Sequence, residues 1–235
     1  MRYGWAIGLS MALWGTAGVG WATDKQAERL EKSAEVITDI MKTPEKGIPH
    51  DLMNKAVCVG VIPSELKGAF GLGATYGRGA MVCRRNGNGA WGAPSMFTVG
   101  GVNFGFQIGG EATDFVLLVM NGRGAEKLLR DSTKIGADAS AAGGPVGRTA
   151  EGATDLQLHA EILTYSRSRG AFAGVSLDGQ MFRQDGDSNE KLYGRKLNPK
   201  DILFKGVVPV PAAGRPLDTA LIQFSPHGGE AFTPK

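Results

Sequence analysis

Between residues 57 and 121 the chain reads as strand after strand, with glycine at the joints and also inside the strands. A glycine within a strand has no side chain to pack, so it marks a bulge, a tight bend or the close passage of another backbone. The full sequence of 235 residues holds 36 glycines, about twice ordinary usage. That pattern suits a strongly curved sheet or partial barrel better than a flat one. The runs expected as strands are 57–62, 69–76, 79–84, 91–98, 103–108 and 115–120.

Helices are expected on either side of this block. Residues 24–42 place Leu30, Ala34, Ile37 and Met41 at helical spacing with charges on the other face, and Thr43-Pro44 and Gly47-Ile48-Pro49 end the run. A short helix follows at 51–56, another at 122–132 with Ala125, Leu128 and Leu129 inward, and a last one at 198–203. Residues 135–149, IGADASAAGGPVGRT, read either as a loop or as a closely packed strand pair. Residues 161–179, EILTYSRSRGAFAGVSLDG, read as two strands joined by the polar break Arg167-Ser168-Arg169-Gly170. The last thirty residues carry five of the eleven prolines, and an extended, loosely held Pro/Gly-rich tail is expected over 206–235. The fold class is α+β: N-terminal helices packed on a curved, mainly antiparallel, glycine-rich sheet or partial barrel.

Residues 1–22 read as a signal peptide. Arg2 precedes an apolar, small-residue run, Gly20-Trp21-Ala22 offers small residues where a signal peptidase cuts, and Thr23-Asp24-Lys25 is polar. The expectation is an exported protein, periplasmic or envelope-associated after cleavage near Ala22, with an uncleaved N-terminal anchor as the alternative. Removing one arginine with this segment leaves 25 basic residues against 23 acidic, a net charge of +2. So weak a balance does not support a nucleic-acid binder. Cys58 and Cys83 both sit in apolar, strand-like runs. In an oxidising compartment they are most economically read as one disulfide, with two buried free thiols as the alternative.

No catalytic constellation emerges. His50, His159 and His227 are widely spaced and lack carboxylate or cysteine partners at ligand spacing, so neither a metal nor another cofactor is expected. Around Ser176, the run Gly174-Val175-Ser176-Leu177-Asp178-Gly179 has its second glycine one position too late for a nucleophile elbow. Gly71-Leu72-Gly73 and Gly143-Gly144-Pro145-Val146-Gly147 are not followed by the Gly-Lys-Ser/Thr of a phosphate loop.

A series of landmarks runs in order through residues 30–203: Gly47-Ile48-Pro49, Lys67-Gly68-Ala69-Phe70, Tyr76-Gly77-Arg78-Gly79, Trp91-Gly92-Ala93-Pro94-Ser95 and Gly105-Phe106-Gln107-Ile108-Gly109-Gly110. Gly144-Pro145-Val146-Gly147-Arg148, Tyr165-Ser166-Arg167-Ser168-Arg169-Gly170, Phe172-Ala173-Gly174 and Leu177-Asp178-Gly179 complete it. In this ordered set the chain resembles the SYLF-domain family, with the domain expected over 23–205. The resemblance implies lipid binding, with phosphoinositides as ligands and actin association among eukaryotic relatives. For an exported chain, the expected function is a non-enzymatic, lipid-binding protein of the bacterial envelope that contacts anionic phospholipid or phosphoinositide-like headgroups. Anionic lipid or a membrane surface is the expected partner, and actin is not. A structural or protein-interaction module without lipid is the alternative.

Two surfaces and one slot are candidates for the contact. On the first helix, Lys25, Arg29 and Lys32 could meet headgroups beside its apolar face. A second basic surface would draw on Arg84, Arg85, Arg167 and Arg169, whose planar guanidinium forks suit phosphate oxygens. Phe70, Phe104 and Phe106 could line an apolar slot for acyl chains, with ordinary core packing as the alternative.

Overall fold

The computed structural model describes residues 20–43, 47–70, 72–103, 111–147, 159–168, 171–226 and 228. Helix α1 spans Gly20–Met41. Its apolar stripe is buried as the spacing predicts, with Leu30, Ile37 and Ile40 wholly enclosed. Helix α2, His50–Lys55, follows Pro49, whose carbonyl accepts the N–H groups of Leu52 and Met53.

Nine strands form one sheet among the described residues: β1 (Cys58–Phe70), β2 (Leu72–Cys83), β3 (Ser95–Asn103), β4 (Glu111–Val119), β5 (Thr133–Lys134), β6 (Ala141–Gly143), β7 (Ile162–Ser168), β8 (Ala171–Gly174) and β9 (Met181–Gln184). Their order is β5-β9-β3-β2-β1-β4-β7-β6, and β8 shares with β6 the outer edge of β7. Every pairing is antiparallel except β6 with β7. The sheet curls into a half-barrel, and the chain is α+β, as its glycine pattern indicates.

Both faces of the sheet are covered at β4, which is why its residues 115–119 read as an unbroken apolar run. Val116 and Leu118 join the cluster formed with α1 and α2, while Phe115, Leu117 and Val119 join the cluster on the other face. There Phe97 stacks on Phe182 with ring centroids 4.5 Å apart. Gly79 makes room for this stack: a Cβ at that position would meet the Phe97 ring and the carbonyl of Val61. Cys58 and Cys83 lie directly opposite each other on β1 and β2 and are joined as a disulfide.

Several boundaries differ from expectation. β1 continues past its expected end at Ile62 and takes in residues 69 and 70 of the run expected at 69–76, while residues 72–76 of that run join the run expected at 79–84 in one strand, β2. Pro63 has no N–H to give to a neighbour, so β1 bulges there and resumes pairing with its register shifted. Ser64 takes a positive φ of 56° and donates its N–H to Asp114 Oδ1 at 2.8 Å. The expected strand 103–108 falls almost wholly outside the described residues, with only Asn103 present as the end of β3.

Part of the block 135–149 becomes β6, and the close approach of Gly174 to Gly144 explains its small residues: a Cβ on Gly174 would strike the Gly144 backbone. Helix α3 occupies Gly122–Leu128, N-capped by the Asn121 side chain. Strand β9 and helix α4 (Gly186–Tyr193) stand where only polar connections were expected, and a π-helical turn occupies Asp201–Lys205. The stretch expected as an extended tail contains helix α5, Arg215–Phe224. Pro216 sits in its first turn, where proline is at home. Leu217, Ala220 and Leu221 are buried in the cluster that α1 also enters, with Phe224 packed against it.

Candidate functional site

The N-terminal half of α1 lies over the β1–β2 hairpin, and an open groove of about 330 Å³ runs between them. Lys25, Glu28, Arg29 and Lys32 form its helical wall, and Pro63, Ser64, Tyr76, Gly77 and Arg78 form the strand wall. The β1 bulge therefore builds part of this wall. Tyr76 and Arg78 alternate with buried Gly77 and project from the same face of β2. Four cations (Lys25, Arg29, Lys32, Arg78) thus line the groove against the single carboxylate of Glu28.

Each cation has a defined setting. Lys32 Nζ pairs with Glu28 at 2.7 Å, raising the ammonium pKa and lowering that of the carboxyl. Arg78 Nε donates to the Tyr76 hydroxyl at 2.8 Å, which raises the guanidinium pKa. Arg29 is deeper. Burial lowers its pKa and Asp185 works the other way, with Arg29 Nη1 3.9 Å from Asp185 Oδ2. Lys25 is exposed and forms no ion pair among the described residues. Tyr76, 49% exposed, presents a large ring at the rim. The arrangement can hold a carboxylate- or phosphate-bearing group by charge and hydrogen bonding; it contains no nucleophile–base pair.

Lys25, Arg29 and Lys32 are therefore brought together as their helical spacing predicts. Arg78 and Tyr76 complete the site and were not selected from the sequence. The alternation in Tyr76-Gly77-Arg78-Gly79 was the available signal, since residues two apart on a strand share a face.

The described members of the second expected basic surface, Arg84, Arg85 and Arg167, do not come together. Arg84 is wholly buried. Its Nε donates to Ala56 O, its Nη1 to Gly89 O and its Nη2 to Ser225 O at 2.9 Å, and its guanidinium lies 3.9 Å from the Trp91 ring centroid. Arg85 is exposed in a 3₁₀ turn beside it. Arg167 lies at the opposite end of the sheet and is claimed by two acids, Asp39 at 2.6 Å and Asp114 at 3.7 Å. The register places Arg84 beside Val57 and Val57 beside Val119, whereas Arg167 faces Asp114. Five residues along β4 separate those ends by about 17 Å. Arg169, Phe104 and Phe106 lie outside the described residues, and of Phe70 only its place at the end of β1 is described.

Ser176 Oγ accepts the N–H of Asp178 at 3.1 Å, an ordinary turn contact. Among the described residues no group of three or more His, Cys, Asp or Glu could hold a metal ion, and no helix is long and apolar enough to cross a membrane.

Comparison with known proteins bears on the partner. The family described as "Ysc84: Las17-binding protein actin regulator" matches residues 100–224. The human "SH3 domain-containing YSC84-like protein 1" is 34% identical over 203 residues, covering 85% of this chain and 58% of its own length. "LAS seventeen-binding protein 3" of Saccharomyces cerevisiae is 31% identical over 211 residues, covering 85% of this chain and 45% of its own. An SH3 domain-containing protein of Schizosaccharomyces pombe is 38% identical over 173 residues, 72% of this chain and 40% of its own. The chain thus spans about half the length of these relatives. The family's description as a Las17-binding actin regulator, with the Saccharomyces relative's name, overturns the expectation of a lipid or membrane partner with actin set aside. With 125 of its 235 residues matched and these relatives alongside, the chain belongs to the Ysc84, or SYLF-domain, family.

Proposed function

We propose that this chain is a non-enzymatic docking module that engages a partner protein through an acidic segment seated in the groove between α1 and the β1–β2 hairpin. The observation that carries the reading is the charge of the groove: four cations to one carboxylate, with the Tyr76 ring at the rim. Arginine and tyrosine together suit a protein contact, since both supply large contact area and directional polar atoms. The family's description as a Las17-binding actin regulator, and the name LAS seventeen-binding protein 3 of one relative, support a protein as the partner class. Export with cleavage near Ala22 is proposed on residues 1–22 of the sequence alone, and N-terminal sequencing of the protein recovered from cells tests it.

The docking test uses the full chain with two protein probes, a fluorescent poly-glutamate peptide and filamentous actin, and with vesicles of phosphatidylglycerol or phosphatidylcholine. Binding to a protein probe that weakens with salt and is lost in Lys25→Glu/Arg78→Glu supports the proposal. Absence of protein binding at low salt, or binding indifferent to that double reversal, overturns it. Binding to phosphatidylglycerol vesicles alone would instead favour the finer reading of an envelope protein that contacts anionic headgroups.

A further inference from the structure

Arg29 differs from the other cations of the groove in how deep it lies and how little it bonds. Only 10% of its side chain is exposed. Its one hydrogen bond among the described residues runs from Nη1 to Met96 Sδ at 3.8 Å, and a thioether is a weak acceptor. Asp185 Oδ2 stands 3.9 Å from the same nitrogen, close enough for an ion pair and too far for a hydrogen bond. A guanidinium has five N–H donors, so Arg29 enters the groove wall with most of its bonding capacity unspent.

Asp185 is fixed in its place by other bonds. It caps α4, with Oδ1 accepting the N–H of Ser188 at 3.0 Å and Oδ2 accepting the Ser188 hydroxyl at 2.7 Å. Its own N–H goes to Met96 O at 3.0 Å, so one residue of β3 anchors this acid and also touches Arg29. Asp185 does not itself line the groove. Its field nevertheless reaches both guanidiniums there. Burial lowers the Arg29 pKa, Asp185 acts upward on it, and Arg78 acts downward. Beyond its contact with Tyr76 and its own burial, Arg78 is also raised by Asp185. Two cations of the groove therefore share one internal carboxylate.

We propose that Asp185 sets the affinity of the groove as a built-in competitor, partly neutralising Arg29 and Arg78 so that an acidic segment must compete with it for both guanidiniums. The inference deepens the docking reading of this groove and rests on it. A ligand carboxylate on the groove side of Arg29 and the carboxylate of Asp185 are like charges separated by one guanidinium, about 7 Å apart. At the effective dielectric of a half-exposed site, their repulsion weakens binding about three- to tenfold. A lone carboxylate meets that repulsion with little in return. A run of carboxylates also gains Lys25, which no internal acid pairs among the described residues, and so seats more firmly.

Fluorescence anisotropy of the full chain with labelled poly-glutamate at low salt tests this. Asp185→Asn removes the charge and keeps a good N-cap for α4, and it should tighten binding about three- to tenfold. Asp185→Glu keeps the charge with a weaker cap, and it should bind like the parent. Asp131→Asn makes the same change of net charge at an exposed position beyond α3, and it should shift the affinity less than about twofold. Disturbed packing would not tighten binding, and thermal unfolding confirms that each variant is folded. Unchanged or weaker binding by Asp185→Asn would overturn the proposal. So would an equal gain in Asp185→Glu, which would assign the effect to a loosened α4, or in Asp131→Asn, which would assign it to net charge. Poly-glutamate binding that is lost in Lys25→Glu/Arg78→Glu but indifferent to Asp185→Asn overturns this inference and leaves the docking reading standing. Absence of binding to either protein probe, poly-glutamate or filamentous actin, overturns both.

Discussion

Arg84 is the residue whose replacement tests most directly how this fold is held closed. Its guanidinium is enclosed with no carboxylate partner among the described residues. Burial pushes it down to about 10 from 12.5, so keeping it charged costs the folded state about 3 kcal/mol at 1.36 kcal/mol per tenfold step. Against that stand hydrogen bonds to the carbonyls of Ala56, Gly89 and Ser225 and to Ser225 Oγ, together with the face of Trp91. Bonds from a charged donor are worth about 1.5–3 kcal/mol each, though they do not add simply. The hydrogen bonds should therefore win. Arg84→Ala leaves the Ala56 and Gly89 carbonyls without their guanidinium donors and opens a cavity, whereas Ser225 O keeps the Trp91 Nε1 bond at 3.0 Å. The expected loss is about 3–5 kcal/mol. Arg84→Met fills most of the space and removes the cost of the buried charge, so it should lose only about 1–3 kcal/mol. Urea unfolding of both variants measures the values, and hydrogen exchange should show faster opening of α5, which Ser225 terminates. An Arg84→Met protein as stable as the parent would refute the reasoning, because desolvation would then outweigh the bonds.

Three further outcomes are expected. Burial raises the phenol pKa of both Tyr165 and Tyr193 above the ordinary 10.0. The unfolded chain then loses protons that the folded chain keeps, and stability falls as pH rises past 10.0. Phenolate absorbance of these two should appear only with unfolding, and its appearance in the folded protein near pH 10 would contradict this. At Glu161, burial alone would raise the carboxyl, but Lys127 at 2.7 Å and the N–H of Ser140 hold it below 4.5. Its contribution is present above that value and lost as pH falls through the lower folded one. Glu161→Gln should cost about 1–3 kcal/mol at neutral pH and progressively less in acid, as followed by thermal unfolding across pH; a pH-independent difference would argue against the ion pair. Finally, a Cβ at Gly144 would enter the Tyr165 ring, so Gly144→Ala should cost about 1–3 kcal/mol, and a neutral melting temperature would show that the strands there can part.

Local pattern carried much of the fold. The 3.6-residue spacing of Leu30, Ala34, Ile37 and Met41 found α1, and alternation with glycine found the curved sheet and the hairpin that became β7 and β8. The α5 pattern was equally present in Leu217, Ala220, Leu221 and Phe224. Five nearby prolines obscured it, although one of them starts the helix. Three of the groove's four cations were legible because helical spacing is local. Arg78 was missed because its approach to α1 depends on how the helix lies across the sheet.

Sequence by itself determined which residues share a helical or strand face, because that follows from backbone periodicity. It did not determine what covers each face. Arg84 and Arg167 looked alike as basic residues beside apolar strands. Only the packed structure closes the first under Trp91 and Ser225, 141 residues further along the chain, and pairs the second with Asp39 and Asp114. Burial of a charge is set by contacts distant in sequence, and those exist only once helix and sheet have met.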